Sequence, residues 1–362
     1  MKLVVIGLFA CVLLPGQTGR TGFVEVGPMR HGAPILVSPL VAWSSNNQGH
    51  VWRTTDGGVT WAELTTPALA GSTGYEMRGF ESRSASEAWL WLAPRDALGS
   101  SNIQTVFRTS DGGRTWVEQT PLPTAEWYQE SFFSLRNGEA IWMGGMKERV
   151  ERSPRGGPDA CVARPGNPQF DPVIYYRPKR GAAWVEQPLP IRNGCPVQIL
   201  HFFDGRRGLA VVQNSILRTD DGGRHWLEAP IERVPVANRA GAGWVAPPIN
   251  LHFLDGNDQI GWIGYENGEI LKTTDGGQHW QQLVRKDEIW SRIVGFGHWG
   301  WVYFATESIG WTLGGQGTLF ETRDGGTTWQ KLKAPVRITY ATCAQGHCWV
   351  EGQDVLFKLI WR

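Results

Sequence analysis

One phrase recurs along this chain and decides what it can fold into. It reads VWRTTDGGVTW (51–61), VFRTSDGGRTW (106–116), ILRTDDGGRHW (216–226), ILKTTDGGQHW (270–280) and LFETRDGGTTW (319–329). A sixth, degenerate copy is IYYRPKRGAAW (174–184), with Lys179 where the Asp is expected. A catalytic site is usually written once, whereas a phrase repeated through a chain is how a fold is built. The apolar residues ahead of each Thr read as a strand, Asp-Gly-Gly as a tight turn, and the Trp as the start of the returning strand. Asp56, Asp111, Asp221, Asp275 and Asp324 suit such a turn because a carboxylate can accept from turn N–H groups that face no partner strand. Trp61, Trp116, Trp226, Trp280 and Trp329 are large enough to fill the wedge between neighbouring sheets.

The spacing of the copies predicts a circular architecture. A second Trp precedes the turn: Trp43, Trp262 and Trp311 stand at one fixed distance before their Asp, and Trp89, Trp142 and Trp349 occupy similar contexts. Each repeat then accounts for four antiparallel strands, the size of a propeller blade. The expected blades are 35–64, 77–119, 130–187, 197–229, 249–283 and 292–332. After the last copy only three strands remain (338–362), while GFVEVGP (22–28) is an orphan strand at the other end. Joining them predicts an all-β, seven-bladed β-propeller of four-stranded antiparallel blades whose ends pair and leave no open sheet edge in the ring. A six-bladed ring is the alternative, and it gives GFVEVGP no role.

Composition agrees: 46 Gly and 20 Trp in 362 residues, with 19% charged residues, suit short strands, tight turns and aromatic filling. A net charge of +1 supplies no overall field toward nucleic acid or an acidic membrane. Residues 1–19 carry one Lys and then an apolar run that is short for a bilayer span but suits an export signal. This predicts an exported protein, periplasmic or extracellular, whose single domain is 20–362. A second reading of LFAC makes Cys11 a lipid anchor. Four further cysteines in an exported chain suggest disulfides, assigned as Cys161–Cys195 and Cys343–Cys348. No Cys or His spacing points to a metal, no motif points to a cofactor, and no other segment reads as transmembrane.

Strand alternation puts the Asp-Gly-Gly turns and the first-to-second turns of all blades on one face. The blade-to-blade connections share the other face, with most of the inserted length, and loops on a rigid scaffold are where function is carried. Trp127, Trp244, Trp290 and Trp299 lie in those connections, near Tyr128, Arg78, Arg239, Arg285 and Arg292. Aromatics with Arg make a recognition surface for a protein or a glycan, and the expected state is a monomer. No catalytic residue is assigned.

The repeated phrase resembles the Asp-box, or bacterial neuraminidase repeat, which glycosidases also carry. That resemblance makes a sialidase-like glycoside hydrolase the alternative function. It would need a carboxyl pair, with Glu76, Asp96, Glu126, Glu130, Asp159, Asp287 and Glu288 as candidates. The wider pattern, Gly261-Trp262-Ile263-Gly264 followed by ILKTTDGGQHW, and Gly310-Trp311 followed by LFETRDGGTTW, resembles the photosystem II stability and assembly factor family over roughly residues 23–362. That resemblance implies an exported, non-enzymatic propeller that binds an assembly partner.

Overall fold

Each Asp-Gly-Gly turn joins the last two strands of an antiparallel sheet, and seven such sheets follow one another around a ring. The computed structural model describes residues 21–29, 31–46, 48–67, 75–94, 105–119, 127–134, 140–148, 170–179, 181–191, 195–233, 247–266, 268–283 and 301–361. Strand β1 (Gly22–Pro28) is the first among the described residues. Blade 1 contains β2 (Pro34–Leu36), β3 (Ala42–Ser45), β4 (Val51–Thr54) and β5 (Ala62–Leu64). Blade 2 contains β6 (Tyr75–Ser82), β7 (Ala88–Pro94), β8 (Thr105–Thr109) and β9 (Val117–Glu118). Blade 3 contains β10 (Trp127–Ser134), β11 (Ile141–Glu148), β12 (Phe170–Arg177) and β13 (Val185–Pro188). Blade 4 contains β14 (Ile199–Phe202), β15 (Gly208–Val212), β16 (Ser215–Thr219) and β17 (Leu227–Glu228).

A short strand, β18 (Ile231–Glu232), then leaves blade 4 and joins the next sheet. Blade 5 proper is β19 (Pro248–Phe253), β20 (Gly261–Tyr265), β21 (Ile270–Thr273) and β22 (Trp280–Gln282). Blade 6 contains β23 (Val302–Phe304), β24 (Gly310–Gly314), β25 (Thr318–Thr322) and β26 (Gln330–Lys331). Blade 7 contains β27 (Tyr340–Ala344), β28 (His347–Gly352) and β29 (Val355–Ile360), and it takes β1 as its fourth strand. The register runs from Gly22↔Ile360 to Pro28↔Val355, so the two ends of the chain share one sheet and the six-bladed alternative is excluded. One feature departs from the sequence reading. The connection after blade 4 is a plain loop by pattern, yet β18 pairs parallel with β22 and gives that sheet a fifth strand. Ile231 gains a packing position against blade 5 in this way.

First strands of neighbouring blades touch one another (β27 with β2, β10 with β14, β14 with β19, β19 with β23), so they form the inner ring. The second strands carry the packing. Trp43, Trp89, Trp142, Trp262, Trp311 and Trp349 are all within 1% of complete burial. Each spans the gap to a neighbour; the Trp43 indole N–H, for example, donates to Ser84 O of blade 2 at 2.9 Å. Truncating a Trp at such a site costs about 3–5 kcal/mol.

Candidate functional site

The five Asp-Gly-Gly turns share one hydrogen-bond pattern. The Thr hydroxyl donates to the Asp carboxylate at 2.8 Å in Thr54–Asp56 and at 2.9 Å in Thr109–Asp111, Thr219–Asp221, Thr273–Asp275 and Thr322–Asp324. The same Thr oxygen accepts from the N–H of the second glycine at 2.8–3.0 Å. The residue four beyond the Asp donates its backbone N–H to Oδ1 and its side chain to Oδ2. Where His225 and His279 replace Thr, the ring Nδ1 sits 2.6 Å from Oδ2 and does the hydroxyl's work. Asp111 is held down at about 2, first by the Thr115 hydroxyl and then by the Thr115 N–H. At Asp221 burial pushes upward, but the His225 and Thr219 bonds outweigh it and again hold the group at about 2. A carboxylate so fully engaged is fixed as an anion and is no proton carrier at neutral pH.

The two glycines have separate tasks. The first donates its N–H to the first-to-second turn of its own blade: Gly57 to Leu40 O, Gly112 to Ser86 O, Gly222 to Arg206 O, Gly276 to Gln259 O and Gly325 to Ser308 O. The second lies against the preceding blade, and a Cβ on Gly277 or Gly326 would meet Leu209 or Leu283 there. Both adopt positive φ in every copy, so only glycine serves without strain.

The degenerate copy is held by different chemistry. Arg177 stands at the Thr position, and its guanidinium donates to Gln119 O and Gln119 Oε1 of blade 2, both at 3.0 Å. The guanidinium is 1% exposed and lies over the Trp184 ring at 4.9 Å. A contact between blades here replaces a cluster within the turn.

The inner ring carries a polar constellation that the sequence reading missed. Residues paired across from the second-strand Trp, or from its Leu209 equivalent, are Ile35, Glu81, Phe133, His201, His252, Tyr303 and Thr342. Several reach to the next blade. His201 stacks on Phe253, with centroids 5.5 Å apart. His252 Nε2 lies 2.9 Å from Phe304 O. Thr342 Oγ1 accepts from Leu36 N at 2.9 Å. The Tyr303 hydroxyl donates to Asp255 at 2.8 Å, and that carboxylate also accepts from Gly346 N at 2.8 Å, tying blades 5, 6 and 7 together. Burial lowers His201 to about 3, helped by the charge of Arg83, and lowers His252 to about 4 against the upward pull of Phe304 O. Burial raises Glu81, opposed by its ion pair with Arg83. A signal existed in the sequence: ILHFFDG (199–205) and NLHFLDG (250–256) repeat the same His one blade apart.

The expected recognition residues are less fully placed. Trp127, expected in a blade-to-blade connection with Tyr128 beside it, lies instead with Tyr128 on the first strand β10, and Arg78 lies on the first strand β6, because strand pairing there starts earlier than the repeat pattern marks. Trp244, Trp290, Trp299, Arg239, Arg285 and Arg292 lie outside the described residues, as do Asp96, Glu126, Asp159, Asp287 and Glu288 of the hydrolase reading. Glu130 lies on β10, and Glu76 on β6. Cys343 and Cys348 form a disulfide across the β27–β28 hairpin. Cys195 is also disulfide-bonded, while Cys161, the partner expected for it, lies outside the described residues. Among the described residues no group of His, Cys, Asp and Glu could hold a metal, and no helix is long and apolar enough to cross a membrane.

No family model matches the chain. Over 83 residues it is 34% identical to the photosystem II assembly lipoprotein Ycf48 of Synechococcus sp. (strain CC9902), a match covering 23% of this chain and 22% of that protein. Among solved structures it resembles YCF48 bound to D1 peptide, with a TM-score of 0.56 and 17% identity over 96% of this chain and 97% of that one. YCF48 from Cyanidioschyzon merolae gives a TM-score of 0.59 and 16% identity over 93% and 98%. The GH74 xyloglucanase from Xanthomonas campestris gives 0.56 and 14%, covering 93% of this chain but 53% of the enzyme. At these identities the structural likeness is one of fold.

Proposed function

We propose that this chain is an exported, non-enzymatic propeller that acts as a binding or assembly module in the manner of the photosystem II assembly factors, and that it engages a protein partner. The observation that carries this reading is the 83-residue sequence match to a photosystem II assembly lipoprotein. The ring-wide likeness to a propeller of that name with a bound peptide supports it. The five repeated carboxylates are consumed inside their own turns and serve the scaffold, so they are not the residues that would carry either function. The repeat itself reads as an Asp-box, which does the same structural work in enzymes and binders. The working face in this reading is the one opposite the Asp-Gly-Gly turns, with Trp127, Tyr128, Trp244, Trp290, Trp299, Arg78, Arg239, Arg285 and Arg292 as contact residues. An export signal in residues 1–19, or lipidation of Cys11, would deliver the ring to its compartment, where it works as a monomer.

The test titrates the purified protein with D1 peptide. Trp299→Ala and Arg292→Ala should weaken binding with little loss of stability, and Asp275→Ala should lower stability with binding retained. The same protein is screened against sialosides and common polysaccharides. Turnover lost on changing Glu126, Glu130, Asp287 or Glu288 singly, with folding intact, overturns the binding reading in favour of a hydrolase.

A further inference from the structure

The repeats serve as one another's controls, and at the seam between blades 7 and 1 they disagree in a consistent direction. At the first-to-second turn, the residue whose carbonyl accepts from the first glycine is Ser86, Arg206, Gln259 or Ser308 in four blades, but Leu40 in blade 1. At the position after the second glycine, the other turns carry Arg114, Arg224, Gln278 and Thr327, where blade 1 carries Val59. On the third strand, Trp349↔Lys358 repeats the pairing of Trp43↔Arg53 and Trp262↔Lys272. That register sets Ile360 of blade 7 opposite Thr55, Ser110, Asp220, Thr274 and Arg323 of the other copies. So three positions that are polar in the other Asp-Gly-Gly copies are apolar at this one seam, while the degenerate copy of blade 3 carries Pro178 and Ala182 at two of them. All three are exposed: Leu40 at 56%, Val59 at 70% and Ile360 at 44%. Apolar side chains placed in water at positions where sister repeats are polar are not needed by the fold.

A cleft of about 510 Å³ opens between Leu40 of blade 1 and Ile360 of blade 7, lined also by His347, Trp349, Lys358 and Trp361, with Val59 outside the lining on the neighbouring turn of blade 1. Blade 7 has no Asp-Gly-Gly turn, because β29 ends at Ile360 and its partner β1 comes from the start of the chain. Lys358 lies over the Trp349 ring at 5.5 Å and close against Gly57 of blade 1. Its ammonium therefore stands between the two apolar banks, and it makes no ion pair among the described residues. Burial lowers its pKa, opposed by the charge of Asp56, and the Asp56 carboxylate is already engaged by Thr54 and Thr60. A partly desolvated cation with no ion pair among the described residues, flanked by apolar surface, is complementary to a carboxylate flanked by apolar groups.

We propose that this seam, on the face that carries the Asp-Gly-Gly turns, is a second docking surface, and that it takes an extended protein segment with an acidic side chain between apolar residues. The acid pairs with Lys358 while its neighbours cover Leu40 and Val59 on one side and Ile360 and Trp361 on the other. The surface is independent of the opposite face proposed above.

The experiment uses the full chain and labelled decapeptides of the pattern apolar-x-Glu-x-apolar, each with a Glu→Gln twin, followed by fluorescence anisotropy. Further arms are an all-polar acidic peptide and an apolar peptide whose one carboxylate is its C-terminus. The seam variants are borrowed from sister repeats: Leu40→Ser, Val59→Arg and Ile360→Thr, alone and combined, together with Lys358→Met. The apolar-acidic peptides should bind the native protein, and their Gln twins at least tenfold more weakly. The combined variant and Lys358→Met should each lose at least tenfold. If the combined variant fails to fold, Val59→Arg alone, in an exposed turn, still reads the surface. The proposal is overturned if no apolar-acidic peptide binds, if the Gln twins, the all-polar peptide or the C-terminal carboxylate bind equally well, or if the seam variants bind like the native chain. It is equally overturned if the native chain dimerises through this patch, with Val59→Arg restoring the monomer in sedimentation, since the occupant is then a second copy.

Discussion

Phe23 pairs with Leu359 across the sheet that joins the two ends of the chain. Around that pair the start of the chain is tied to blade 6 as well. Thr21 donates to Glu321 at 2.5 Å and accepts from the Trp311 indole N–H at 3.3 Å, and Trp311 lies 4.5 Å from Trp361. Blade 7 therefore depends on residues from both termini, and a ring closed this way has no independent last blade.

Deleting residues 20–28 should consequently destabilise the whole ring. The loss uncovers one edge of β29, leaves Glu321 without Thr21, and removes Phe23 from a packed cluster. Thermal unfolding followed by circular dichroism should show a large fall in Tm. A truncated chain that melts with the native profile would contradict this account.

The turn carboxylates set the acid limit of the fold. Asp275→Ala removes the acceptor for the Thr273 hydroxyl and for both His279 donors. It should cost about 1–2 kcal/mol in chemical denaturation, by analogy with lost helix caps. The pH dependence has a definite sign. Asp111 and Asp221 titrate near 2 in the fold and near 4 when unfolded. Their contribution is complete above about pH 4 and is lost as pH falls toward 2. Asp111→Asn should flatten that limb of the stability curve.

The inner-ring histidines act at milder pH. His201 and His252 are held neutral, near 3 and 4, against about 6.5 when unfolded. The unfolded chain therefore takes up the protons first. The stability that comes from keeping these rings neutral is complete above about pH 6.5 and erodes as pH falls toward 4. A His201→Phe/His252→Gln protein should show a smaller fall in Tm between pH 6.5 and 4.5 than the native chain. An equal fall in both would remove these residues from the pH response.

The ring was legible because its instructions are repeated. Asp-Gly-Gly followed by Trp marks a hairpin wherever it occurs, and the second-strand Trps mark the sheet interfaces, so blade number and closure follow from pattern. β18 was not legible, because two residues in a connection carry no period that could mark a strand. The inner ring was hidden for another reason. His201 and His252 lie far apart in sequence and become neighbours only when blades 4 and 5 pack. The sixth copy was legible only as a defect at Lys179, since nothing in IYYRPKRGAAW says that Arg177 will reach Gln119 in the previous blade.

That substitution yields the most discriminating stability test. Arg177 is a buried cation whose visible partners are a carbonyl and an amide oxygen of Gln119, with the Trp184 ring beneath it. Arg177→Met fills similar space but leaves two buried oxygens without their donors, and each costs roughly 1–3 kcal/mol. The variant should therefore lose about 2–6 kcal/mol by the same sum. Arg177→Lys should recover only part of this, because one ammonium cannot reproduce the planar fork that meets both oxygens. Changing Gln119 to Met in the Arg177→Met background should restore some stability by removing the orphaned amide, so the two substitutions should be non-additive in a double-mutant cycle. Strict additivity would mean that blade 3 is held to blade 2 by packing alone, and that the Arg at the Thr position is incidental to how the degenerate turn survives.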